Sequence, residues 1–234
     1  MNNSAGHRIR TELKSKGADF IKFVDISQLP TKQNKGFPGA ILIGILLSPT
    51  YLLEVSKTHD YVEKMKREKL TDADEFNLKE MMTDRLADYI AGYLLSIGYS
   101  AYSQSEKNIS STGFYNDTDK STPLPHKTIA GLAGMGWIGK HNLLVTPEYG
   151  SAFSMCTVLT NAPLETVLYG HTSSKCGDCE ICVKSCQVKA IKGKTWSPGL
   201  PRDAIVDVTL CNTCLKCMVL CPWTQKYIKR GLNE

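Results

Sequence analysis

Two runs decide how this chain is read: Cys176-Gly-Asp-Cys179-Glu-Ile-Cys182-Val-Lys-Ser-Cys186 and Cys211-Asn-Thr-Cys214-Leu-Lys-Cys217-Met-Val-Leu-Cys221-Pro222. Each spaces its cysteines as C-x₂-C-x₂-C-x₃-C, a pattern that holds a [4Fe–4S] cluster. Three thiolates two residues apart wrap one face of a cubane. The fourth sits a helical turn further on, points away, and reaches the other cluster. The expected sets are therefore Cys176, Cys179, Cys182 and Cys221 for one cluster, and Cys211, Cys214, Cys217 and Cys186 for the other. Zinc is the rival, but its sites pair two C-x-x-C units across a loop of a dozen residues or more. Two consecutive quartets fit iron–sulfur instead. The ninth cysteine, Cys156, falls in an expected strand and reads as a small buried hydrophobe.

This is the spacing of two-cluster bacterial ferredoxins, so residues 171–234 are expected to form a double [4Fe–4S] ferredoxin-like domain. Residues 1–170 remain for an α+β domain, and 234 residues suffice for both. The longest apolar run, from Ala40 to Leu47, is too short to span a membrane. The N-terminal stretch MNNSAGHRIRTELK has no apolar signal region, so a cytoplasmic location is expected, where clustered cysteines mean metal or redox chemistry rather than disulfides. The net charge of +5 lies wholly in residues 171–234, where ten basic residues face Asp178, Glu180, Asp203, Asp207 and Glu234. A basic domain can bind nucleic acid. Here two clusters of about −2 each offset the excess, so no nucleic-acid partner is expected.

Upstream, Arg8–Lys16 reads as an amphipathic helix and Asp19–Ile26 as a strand. Gly39–Ser48 is apolar on both faces, a central strand ended by Pro49. His59–Lys69 reads as an exposed helix. Thr71–Gly98 is the clearest helix, with Thr71 and Asp74 as a capping box and Gly98 as its stop. Tyr99–Ser103 follows as a strand and Ser105–Thr122 as a polar loop. His126–Ala133 is a short helix, and Asn142–Thr146 and Ser151–Thr160 are strands joined by a turn at Pro147–Gly150.

The loop Gly134-Met-Gly136-Trp137-Ile138-Gly139-Lys140 matches G-x-G-x-x-G and nearly matches G-x-x-x-x-G-K. Both phosphate-binding patterns need a strand before the loop and a helix after it. Here the order is reversed, and His141 stands where Ser or Thr would hold Mg²⁺. The glycines are expected to let the backbone approach something large and flat, or to turn tightly.

From Pro125 to Leu164 (PHKTIAGLAGMGWIGKHNLLVTPEYGSAFSMCTVLTNAPL), with the cysteines and Cys221-Pro222-Trp223, the chain resembles the epoxyqueuosine reductases, relatives of the cobalamin-dependent reductive dehalogenases. The resemblance implies a nitroreductase-like sheet domain holding cobalamin, with Gly134, Gly136, Trp137, Ile138, Gly139 and Lys140 lining the corrinoid. It implies a proximal cluster that reduces cobalt to Co(I), and a ferredoxin or flavodoxin as electron donor. FMN is the alternative cofactor, since nitroreductase-like folds commonly hold it. The family places its catalytic acid in an Asp-Thr-x-Pro pattern; aligned on Pro123, this chain has Lys120-Ser121-Thr122-Pro123, with Asp117 and Asp119 out of register. Candidate proton donors are thus Asp119, His126 and His141. The sequence also stops at Glu234, without the helical extension the family uses on tRNA. Both departures point away from a tRNA substrate, toward a small molecule, or toward an electron carrier that reduces a corrinoid protein without a substrate of its own.

Overall fold

The structure, a computed structural model, describes residues 5–233. Met1–Ser4 of the N-terminal stretch and the acidic Glu234 lie outside the described residues. Helices are α1 (Ala5–Ser15), α2 (Thr31–Asn34), α3 (Pro49–Lys57), α4 (Tyr61–Arg67), α5 (Glu75–Ser96), α6 (Glu106–Ser111), α7 (His126–Leu132), α8 (Ile181–Ser185), α9 (Lys216–Val219) and α10 (Pro222–Gly231). Strands are β1 (Phe20–Asp25), β2 (Gly39–Leu46), β3 (Ala101–Ser103), β4 (Trp137–Ile138), β5 (Leu144–Val145) and β6 (Phe153–Thr160).

The chain folds into two compact units that interleave along the sequence. The first takes residues 1–45, 79–134 and 154–170; the second takes 46–78, 135–153 and 171–234. Five changes of unit divide the chain, one of them between residues 170 and 171.

The first unit is a four-stranded sheet in the order β1-β2-β6-β3. β1 runs antiparallel to β2 with Phe20 opposite Gly44 and Ile21 opposite Ile43, and β3 runs antiparallel to β6 with Ala101 opposite Thr160. β2 is buried from Gly39 to Ile45, as a strand apolar on both faces must be. Ile9 and Leu13 of α1 pool with Leu86, Ile90 and Leu94 of α5 and with Ile21, Phe23, Ile41, Ile43 and Val158 of the sheet. Each such side chain contributes about 1.5–3 kcal/mol on burial.

The expected polar loop after Ser103 contains α6, anchored by buried Ile109, and an antiparallel bridge from Asn116 to Ser121. The long helix also begins differently from its capping-box reading. Thr71 opens a 3₁₀ turn, and Asp74 is the cap: its carboxylate accepts from Phe76 N at 3.0 Å and from the hydroxyls of Tyr51 and Tyr61. Gly98, at φ +89°, ends the helix as expected.

In the second unit Leu47, Tyr51, Leu52 and Val55 share a core with Met218, Val219 and Ile228. A smaller core joins Cys182, Ala190, Ile191 and Val206, where Ile191 bridges Val206 antiparallel. β4 pairs antiparallel with β5. Among the described residues no helix is long and apolar enough to cross a membrane.

Gly150 closes the turn between β5 and β6 at φ +58°, and a Cβ there would lie 2.3 Å from the backbone nitrogen of Thr224. Gly150→Ala is expected to cost about 3 kcal/mol, from left-handed strain and overpacking together. Gly199→Ala, at φ +85° but in open space, should cost only about 1 kcal/mol. Urea denaturation midpoints of the two variants check this.

Candidate functional site

In the first cysteine run Cys179 N donates to Cys176 O at 2.9 Å, which bends the loop into a tight turn before α8. The Cys186 sulfur accepts from Ala190 N at 3.2 Å. In the second run Thr213 and Leu215 are left-handed, which coils the loop before α9, and Cys221 sits just ahead of Pro222 at the first turn of α10.

The thiols form two neighbourhoods. Burial pushes the Cys182 thiol up to about 11, and the nearby thiols of Cys176, Cys221 and Cys179 add to the rise. Burial also raises Cys217, with contributions from Cys214, Cys211, Cys182 and Cys186. Cys221 is raised first by burial, and it too faces Cys176 and Cys179. Cys221 thus lies electrostatically among the first three cysteines of the first run, and Cys186 acts on Cys217 of the second. Among the described residues no three His, Cys, Asp or Glu side chains converge on a position for one metal ion.

Beside the first neighbourhood, Trp137 of β4 packs with Val145, Cys176, Cys221 and Trp223. Trp137 and Trp223 meet edge to face with centroids 5.0 Å apart. Trp137 is 2% exposed, and its indole nitrogen has no hydrogen-bond partner.

The neighbouring glycines have internal uses. A Cβ on Gly136 would fall 1.9 Å from the Val145 carbonyl oxygen, one on Gly139 would meet the His141 ring at 2.8 Å, and Gly134 turns at φ +67° against Tyr169. Close packing and tight turning thus account for them without a cofactor. Ile138 is buried with Trp137 in the β4–β5 pair. Lys140 is buried as a residue, at 7% exposure. His141 is buried, and its Nδ1 accepts from Leu143 N at 3.1 Å within the same turn.

His126, at the start of α7, belongs to a polar chain inside the first unit. Gln104 Nε2 donates to Leu124 O at 2.8 Å, so its Oε1 accepts the Thr157 hydroxyl at 2.5 Å. The Thr157 oxygen must then accept from His126 Nδ1–H at 2.9 Å. This places the ring proton on Nδ1 and the lone pair on Nε2. Burial pulls the His126 pKa down to about 4, so the ring is neutral near pH 7.

Asp119 is exposed on the Asn116–Ser121 turn, where it accepts from Asn116 Nδ2 at 2.9 Å and its own N–H donates to Asn116 Oδ1. A proton-carrying group that sequence reading missed is Glu80. Although its side chain reaches solvent, desolvation raises its pKa to about 7, and the carboxylates of Glu106 and Asp84 add to the effect. Asp84 accepts from Glu106 N at 2.9 Å and from the thiol of Cys156, which is fully buried in β6. The i, i+4 spacing of Glu80 and Asp84 was a visible signal; the approach of Glu106 was not.

Because His126 titrates near 6.5 when unfolded and about 4 when folded, the unfolded chain binds more protons between these values. Stability is full above pH 6.5 and is lost as pH falls toward 4. In His126→Gln the dependence of denaturation midpoint on pH across this window should flatten. Nitrogen NMR of the native protein should show His126 protonated on Nδ1.

No protein-family model matches the chain. It is 42% identical over 71 residues to the epoxyqueuosine reductase of Listeria monocytogenes, a match covering 30% of this chain and 18% of that protein. The chain thus aligns with less than half the length of such curated relatives. All of it superposes on 34% of a catabolic reductive dehalogenase in complex with 3-bromo-4-hydroxybenzoic acid, at TM-score 0.69 and 18% identity. In addition, 93% of it superposes on 65% of a selenomethionine-labelled epoxyqueuosine reductase, at TM-score 0.52 and 16% identity. The chain is a relative of the epoxyqueuosine reductases over the stretch matched in sequence, and its fold is the one found in those enzymes and in the reductive dehalogenases.

Proposed function

We propose that this chain is an iron–sulfur reductase that passes electrons from two [4Fe–4S] clusters to a bound corrinoid for a reductive reaction on a small molecule. The carrying observation is that Cys221 neighbours Cys176, Cys179 and Cys182 while Cys186 neighbours Cys217, which supports an exchange of fourth cysteines between the two runs. The donor set suits the clusters: eight of the nine free cysteines fall in two C-x₂-C-x₂-C-x₃-C runs. Adjoining clusters suit electron transfer in series, and the double-cluster segment is ferredoxin-like in this reading.

The clusters supply one-electron transfer, and a corrinoid supplies a strongly reducing metal centre. The protein does the rest. The thiolates hold the iron, and the lysines and arginines of residues 171–234 offset the added negative charge. Lys140, as a cation on this loop, suits a phosphate or amide oxygen of the corrinoid; the adjacent glycines shape the β4–β5 pair beside it. An external ferredoxin or flavodoxin delivers the electrons.

Anaerobic reconstitution should load two clusters' worth of iron and sulfide, and cobalamin, not FMN, should co-elute with the loaded protein. Co-elution of neither pigment would leave an electron carrier. Cys221→Ser should weaken only the cluster on Cys176, Cys179 and Cys182; unchanged iron content and unchanged EPR of both clusters would sink the exchanged assignment.

A further inference from the structure

Among the described residues three buried side-chain polar atoms lack a hydrogen-bond partner: Thr122 Oγ1, Asn212 Oδ1 and Trp137 Nε1. The first two are oxygens. The indole nitrogen can only donate. A buried donor left unpaired costs about 1–3 kcal/mol, so such a group calls for an acceptor.

The surroundings point to what that acceptor is. The hydrophobic side chains that cluster with Trp137 are Val145, Cys176, Cys221 and Trp223. Val145 offers no side-chain acceptor, and Lys175, whose ammonium lies 5.6 Å from the indole centroid, is itself a donor. Within this group the acceptors are the sulfurs of Cys176 and Cys221 and the π face of Trp223. Protonated thiols accept weakly. Iron-bound thiolates and cluster sulfides carry full negative charge and accept well.

We propose that the Trp137 indole N–H donates a hydrogen bond to a sulfur of the [4Fe–4S] cluster held by Cys176, Cys179, Cys182 and Cys221, and thereby raises that cluster's reduction potential. The inference rests on the cluster assignment made above. Reduction adds negative charge to the cluster, and a hydrogen bond to sulfur stabilises the more negative state, which fixes the sign. Trp137 is here a positioning and tuning residue; it ligates nothing. The assignment also gives the tryptophan of the Gly134–Lys140 loop a task distinct from lining a corrinoid.

The test is Trp137→Phe, which keeps an aromatic ring and deletes the N–H. In cluster-loaded protein followed by EPR-monitored redox titration, one cluster's midpoint potential should shift downward. The other should stay in place, with iron content unchanged. Equal potentials in the variant and the parent would overturn the proposal. If Trp137→Phe fails to fold or to load, the parent protein decides. Grown with indole-¹⁵N tryptophan and reduced, it should show ¹⁵N and exchangeable-proton hyperfine coupling to one cluster, and this coupling should persist in Trp223→Phe. No coupling, or coupling lost in Trp223→Phe, would place the N–H on the Trp223 ring or elsewhere and sink the idea. A parent chain that loads no clusters would instead overturn the proposed function itself.

Discussion

The second unit depends on one buried ammonium. Lys216 lies between Cys214 and Cys217, is 7% exposed, and donates to the carbonyl of Val55 at 2.7 Å and to those of Ser56 and Thr58. These carbonyls end α3, where no helical N–H remains to satisfy them. A charged donor to such groups is worth about 1.5–3 kcal/mol, more than an ordinary neutral bond. One side chain therefore caps a helix, anchors the second cysteine loop, and leaves a positive charge near the Cys214 thiol. Around it Met218 and Val219 drop into the core built by Leu52 and Val55. The cysteine loops have little regular structure of their own, so their order is borrowed from α3 through this contact.

In the first unit the same economy appears on β6. Cys156 and Thr157 are adjacent and, by the alternation of a strand, point to opposite faces. The thiol reaches Asp84, and the hydroxyl links His126 to Gln104. The two polar groups therefore act on different partners from one short stretch of strand. The orientation of the Gln104 amide, fixed by Leu124 O, decides through Thr157 which nitrogen of His126 keeps its proton.

What could be read from sequence was what is local. The fully apolar β2, the stop at Gly98 and the turn at Gly150 are written in consecutive residues, and each stands in the structure where it was expected. The hydrogen bond between Thr157 and Gln104 spans 53 residues, and that between Thr157 and His126 spans 31. No periodicity announces such pairs. The loop glycines show a different limit. Their pattern matched phosphate-binding motifs, yet Gly136 is required by the Val145 carbonyl and Gly139 by the His141 ring, partners revealed only by the β4–β5 pairing. Asp74 as the helix cap was within reach of sequence; the two tyrosine hydroxyls that it holds were not.

The five changes of unit carry a consequence for how such a protein can be inherited or rebuilt. A module joined by one seam can be lost, swapped or grafted in a single event. Here, excising residues 171–234 would strip Met218, Val219 and Ile228 from Leu47, Leu52 and Val55, and leave that apolar group facing water in the remaining chain. The cysteine segment is woven in rather than appended, so its apolar positions are tied to those of residues 46–78.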